Sequence, residues 1–244
     1  MLNISKRYRV DYVGEEIITE RKHENHIWHD TTETVPNAVI NNQISNRAVV
    51  IGNDPSRLDF DLNNLKHPSG LLGANTIQTY GCNALYRDFT PDFLVAIGDT
   101  IVDEIANSSY SYNKIIYTRG QTLLAYPNKF YLIPYDPYAD AGTTAAYIAA
   151  FDGHKKIYLL GFGEHNSPGV NWNVYAGTNG YDPVESDLNS EKWIQGRIAL
   201  VNTYDDVDFA WVTLRGRNSV PETLAACQNF RQISFRDFVL EADL

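Results

Sequence analysis

Three apolar runs in this chain end in small polar residues, and those residues could hold a phosphorylated ligand. The first is Arg47-Ala-Val-Val-Ile-Gly-Asn-Asp-Pro-Ser-Arg57. Gly52 lets the backbone turn, and Asn53 offers an amide to a phosphate or a ribose. Ser56 either caps the next turn or donates to a phosphate. The second is Thr79-Tyr-Gly-Cys-Asn-Ala-Leu-Tyr86, where Asn83 either reads a ribose or base edge or completes a turn. The third is Pro91-Asp-Phe-Leu-Val-Ala-Ile-Gly-Asp99, whose terminal Asp99 suits a helix N-cap better than a ligand. Neither G-x-G-x-x-G nor G-x-x-x-x-G-K-[ST] occurs, so a dinucleotide fingerprint and a P-loop are both excluded.

Proton transfer needs a group that titrates near neutrality. His165 meets that requirement as a general base, or is an ordinary solvated loop histidine. It opens a long Gly-, Asn- and Tyr-rich loop over 163–186, which reads as a lid carrying Tyr175 and Tyr181 as further polar groups. Arg215 and Arg217 follow an apolar run and face either a phosphate or a surface carboxylate. His23, His26 and His29 are spaced three apart, which on one strand alternates faces, so no metal site is expected.

These groups need a scaffold that brings strand ends together. Strands are predicted at 47–52, 75–80, 92–97, 113–118, 129–133, 155–161 and 207–213, with helices at 99–108, 141–152 and 187–203. The alternation predicts an α/β, Rossmann-like fold: a mostly parallel sheet with helices on both faces. Ligands in such sheets sit past the carboxyl ends of the strands. Helix 141–152 opens Gly142-Thr143-Thr144, suited to close packing or to a ligand at its N-terminus. Residues 1–46 read differently, as a β-hairpin arm and connector with Trp28 as its aromatic anchor; 47–244 form the nucleotide-binding domain. Strands are expected at Tyr8–Tyr12 and Glu16–His23, with a turn at Glu24-Asn25.

The chain has 244 residues, 43% of them hydrophobic, and a net charge of −10. That suits one large domain and argues against coating nucleic acid, which takes clustered cations. Cys82 and Cys227 fit no metal or disulfide spacing. No apolar leader and no run long enough to span a membrane is seen, so a soluble protein made in a cytoplasm is expected.

The order of motifs resembles the bacterial lipooligosaccharide sialyltransferases, and more loosely the related domain of archaeal pterin diphosphokinase-like proteins. The resemblance rests on Gly52-Asn53-x-Pro-Ser, Cys82-Asn83-x-x-Tyr86, a Thr-rich helix start and Ile157-Tyr-Leu-Leu-Gly161, and covers about residues 47–165. It implies a Rossmann-like domain holding a CMP-type sugar as substrate, with no metal and no separate cofactor. Gly52, Asn53 and Ser56 would face phosphate and ribose, Asn83 ribose or base, and Thr143 and Thr144 the donor. The pattern departs at Asp54, which stands where that family has glycine and would repel a phosphate; Arg57 would offset it. It departs again in the lid, where His165 stands near the start and no histidine follows. The whole chain also resembles proteins of T7-like marine cyanophages. That implies a phage product in the host cytoplasm, either a glycosyltransferase-like enzyme or a virion or assembly protein on an inactive nucleotide-binding fold, meeting its partners through residues 1–46.

Overall fold

The computed structural model describes residues 2, 4–35, 45–66, 77–163, 171–184, 190–213 and 220–244. Two antiparallel strands come first, β1 (Glu15–Glu24) and β2 (Ile27–Val35), joined by a turn at Asn25 and His26. The main sheet follows, with strands β3 (Arg47–Ile51), β4 (Gln78–Cys82), β5 (Phe93–Val95), β6 (Ile115–Thr118), β7 (Tyr131–Leu132), β8 (Lys156–Leu160), β9 (Asp208–Thr213) and β10 (Phe230–Ser234). Between and after them lie helices α1 (Asp99–Ala106), α2 (Gly120–Ala125), α3 (Ala141–Phe151), α4 (Ser190–Thr203), α5 (Glu222–Ala225) and α6 (Phe235–Ala242).

All eight strands of the main sheet are parallel, in the order β10-β9-β8-β3-β4-β5-β6-β7. A parallel sheet must be covered on both faces, which is why its strands are apolar throughout rather than alternating. β3 shows this: Ala48, Val49, Val50 and Ile51 are all fully buried. Ala48 and Val50 join one core with Tyr80, Phe209, Trp211 and residues 145–151 of α3. Val49 and Ile51 join the other, with Tyr158, Ala210, Val212 and the apolar faces of α1 and α6. Every residue of α3 is buried, and its run of alanines lets the helix lie close on the strands beneath it.

The Rossmann-like architecture expected from the alternation is the one observed. The predicted strands recur with small shifts, the largest at 75–80, where the pairing runs on through Gly81 to Cys82. Gly81 lies within the strand, where no side chain would fit: an added Cβ would stand 2.4 Å from the Leu85 side chain. Strand β10 and helix α6 lie outside the predicted elements: β10 is an edge strand in which only Phe230 and Ile233 are buried, and α6 follows it directly. Asp99 is the first helical residue of α1; the N-cap position falls on Gly98.

The amino-terminal segment departs from expectation. Tyr8–Tyr12 is not a strand but encloses a single 3₁₀ turn, Arg9–Asp11, docked on the main domain. The Tyr204 hydroxyl donates to Arg7 O at 2.7 Å, and Lys6 pairs with Asp205 at 2.6 Å. Arg9 reaches into the sheet's amino end, where its Nε lies 2.5 Å from Asp152 Oδ1 and its Nη2 donates to the Tyr117 hydroxyl at 2.6 Å. The hairpin beyond it is exposed along most of β2. The turn sends His23 and His29 into opposite strands, and the His23 ring packs at a tilt against Trp28 with centroids 4.8 Å apart.

Candidate functional site

Strand order reverses between β3 and β8: the chain builds outward from β3 to β7, then returns to β3's other side with β8. Crevices at such a reversal are where doubly wound sheets bind ligands. Here main-chain bonds tie the two strand ends. Gly52 N donates to Leu160 O at 2.8 Å, and Asp54 N to Gly161 O at 2.9 Å. The approach is so close that a Cβ on Gly52 would stand 2.3 Å from Gly161 O. Gly161 itself holds φ at +72°, a conformation that favours glycine.

Above this floor lies a cleft of about 320 Å³. Its walls are Gly52 to Asp54, Cys82 and Asn83, Asp140 to Gly142, Gly161 to Gly163, Asn171 to Asn173, Tyr181, and Trp193 and Arg197 of α4. Asn53 and Asn83 therefore share one cleft. Asn53 Nδ2 donates to Cys82 O at 3.2 Å, which fixes the orientation of the amide, since only its nitrogen can donate to a carbonyl. Its Oδ1 is buried and has no partner among the described residues. Asn83 adopts φ +46°, which asparagine tolerates, and its Oδ1 accepts from Ile97 N at 3.1 Å, bridging the ends of β4 and β5. It combines the turn and the cleft-lining positions left open by the sequence.

Other candidate residues lie elsewhere. Ser56 is a buried residue within the 3₁₀ turn Pro55–Asp59, and the cap of that turn is Asp54, whose carboxylate accepts from Ser56 N at 2.8 Å. Arg57 does not stand over the cleft to offset Asp54. It is buried, its Nη2 donating to Asp88 at 2.9 Å and to the Tyr175 hydroxyl at 2.8 Å. Tyr175 is thus a lid anchor rather than a cleft wall, while Tyr181 is a wall. Thr143 and Thr144 are fully buried under the cleft. Thr143 donates through N and Oγ1 to Asp140, the N-cap of α3, at 3.0 and 2.5 Å. His165, Arg215 and Arg217 lie outside the described residues.

The described part of the lid is bound down. Val174 N donates to Asn53 O at 2.8 Å, and Arg87 donates to Thr178 Oγ1 and Asn179 O while paired with Glu104 at 2.6 Å. Burial pushes the Cys82 thiol and the Tyr181 hydroxyl each up to about 12. Both stay protonated at neutral pH, so neither is a base there.

Sequence reasoning missed Trp193 and Arg197. The signal was present: they stand four apart on α4, with Leu200 and Val201 three and four further on, so the arginine shares the buried face of the helix. A cation on that stripe is an anomaly that points to a partner.

No family model matches the chain, and no curated protein matches it. Solved structures do. One is the monofunctional alpha-2,3-sialyltransferase Cst-I of Campylobacter jejuni, at 16% identity over 80% of this chain and 86% of that one, with a TM-score of 0.48. An alpha-2,3-sialyltransferase of Campylobacter jejuni in apo form is similar at 15% identity, 71% and 77% coverage, and 0.45. The sialyltransferase CstII of Campylobacter jejuni, solved with CMP-3FNeuAc, is similar at 14% identity, 68% and 81% coverage, and 0.43.

Proposed function

We propose that the cleft binds a nucleotide or nucleotide sugar and that the protein is a glycosyltransferase-like enzyme of the sialyltransferase type. One observation carries the binding reading. Asn53 Oδ1 is a buried acceptor with no partner among the described residues, placed at the sheet's reversal point. A buried unsatisfied carbonyl costs about 1–3 kcal/mol. A ribose hydroxyl or an exocyclic base amine would satisfy it. For transfer, the acceptor hydroxyl must lose a proton, and with Cys82 and Tyr181 both held protonated, His165 is the proposed base. The described lid segment would exclude water above the reacting groups.

Calorimetric titration with CMP, CDP, UDP and GDP tests this. One of the four is expected to bind at micromolar strength, and Asn53→Ala to weaken that binding about 10-fold, the worth of one buried hydrogen bond. Heats at the dilution baseline for all four would reject the proposal.

A second reading, an assembly protein on the same fold, is favoured by the hairpin. Trp28 is 64% and Ile27 60% exposed at its tip. The ribbon pairs with no further strand among the described residues, and isolated two-stranded ribbons are marginal in water. Light scattering across a concentration series is expected to show association that Trp28→Ser abolishes, if the ribbon is an assembly element. A wild-type chain that stays monomeric throughout removes this reading.

A further inference from the structure

An anion entering this cleft would find the customary seats taken. Phosphates in doubly wound folds rest on the backbone N–H groups at the start of a helix, or in the turn after the first strand. Both positions here are filled by the chain's own carboxylates. Asp54 accepts from Ser56 N in the turn after β3. Asp140 accepts from Thr143 N and Oγ1 at the start of α3. Both carboxylates also line the cleft, so each would repel a phosphate brought against its loop.

Arg197 is the counterweight. It lines the same cleft from α4 and is only 8% exposed. Its guanidinium carbon lies 5.2 Å from the centroid of the Phe162 ring and 5.6 Å from that of Trp211. The rings hold the cation by their faces and leave its N–H edge uncommitted among the described residues. Among the described residues no carboxylate pairs with it, and none offers its buried Nε a hydrogen bond. A buried charge is ordinarily paired, because an unpaired one is strongly disfavoured. A planar fork of donors fixed on two aromatic faces matches a phosphate or carboxylate in geometry.

We propose that Arg197 receives the anionic group of the cleft's ligand, a phosphate or a carboxylate, so that the anion is positioned from the helix wall and not from the strand-end loops. This rests on the nucleotide reading for the identity of the ligand, but the anion contact itself can be tested without it.

Four nucleoside monophosphates (those of cytidine, uridine, guanosine and adenosine) and the four matching nucleosides would be titrated against the wild-type chain, Arg197→Met and Arg197→Lys. Methionine keeps an apolar stem on the Phe162 and Trp211 rings and removes the charge. The wild type is expected to bind one nucleotide at least tenfold more tightly than its nucleoside. Arg197→Met should bring that ratio close to one with nucleoside affinity unchanged, and Arg197→Lys should keep part of it. The Tm of Arg197→Met without ligand should equal or exceed that of the wild type, since the substitution removes an unpaired buried charge. A lower Tm with the nucleotide-to-nucleoside ratio intact would make Arg197 structural and overturn the proposal. Should the wild type bind neither nucleosides nor nucleotides, the nucleotide reading fails, and inorganic phosphate and glucuronate then decide the anion contact alone. A rise in wild-type Tm with either anion, lost in Arg197→Met, sustains it and tells phosphate from carboxylate. The same response in both proteins, or none in either, overturns it.

Discussion

Arg9→Ala is expected to lower folding stability by about 3–5 kcal/mol, the range for removing one partner of a buried ion pair. Asp152 is wholly buried in its side chain, and Arg9 is its cationic partner at 2.5 Å. Asp152 also accepts from the Tyr80 hydroxyl at 2.8 Å, at the end of α3 where the chain turns into β8. The guanidinium lies over the Phe151 ring at 5.2 Å as well, so the truncation removes apolar contact along with charge. Urea denaturation of the wild type, Arg9→Ala, Asp152→Asn and the double variant would measure the coupling. The two single losses should not add, because the second substitution removes a charge the first has already stranded. A loss under about 1 kcal/mol for Arg9→Ala, the scale of an exposed pair, would mean that the amino-terminal segment rests on the domain without securing it.

Acid should unfold the protein in two stages, the first owed to His154. This side chain is fully buried between Ser45 O, 2.7 Å from Nδ1, and the Tyr80 hydroxyl, 2.9 Å from Nε2. Because a carbonyl can only accept, Nδ1 carries the proton of the neutral ring. Burial pushes its pKa down from 6.5 to about 4. The unfolded chain therefore takes up a proton more readily than the folded one. The stability is fully present above pH 6.5 and is lost as the pH falls from there through about 4. A tenfold difference in proton affinity between the folded and unfolded chains is worth about 1.4 kcal/mol, so the loss approaches about 3 kcal/mol. Glu104 and Glu241, held down to about 2 by Arg87 and Arg231, give way only below the ordinary carboxylate range. Denaturation curves at about pH 7 and about pH 4.5, on either side of the imidazole's ordinary range, should differ for the wild type and much less for His154→Asn. Equal losses in both proteins would show that the histidine contributes nothing to acid sensitivity.

The sheet was readable because its strands must be apolar on both sides, and Ala48 to Ile51 could be little else. The β10 edge was not, since a strand with one partner needs few apolar residues, and here only Phe230 and Ile233 are buried. Asn53 and Asn83 could be placed at strand ends from local sequence, and they meet because parallel strands start and stop together. Arg57 could not be placed. Its partners Asp88 and Tyr175 lie 31 and 118 residues away, and nothing beside it in the chain says that it points inward. Arg197 differs: its helical spacing gives its inward position, but its meaning depends on two rings brought to it by β8 and β9. His154 belongs with these: in the sequence it is one histidine before a strand, and only the fold supplies Ser45 and Tyr80.

The contact of Gly52 with Gly161 limits how this protein could be retuned. Where the base of a binding site is bare peptide, no exchange of one residue for another can widen or narrow it without forcing the two halves of the sheet apart. Any change in ligand preference, in relatives or at the bench, must come through the surrounding uprights: the asparagines, the descending segment around Trp172 and Tyr181, and the α4 face bearing Trp193 and Arg197. A library confined to those positions would vary the walls and leave the peptide base untouched.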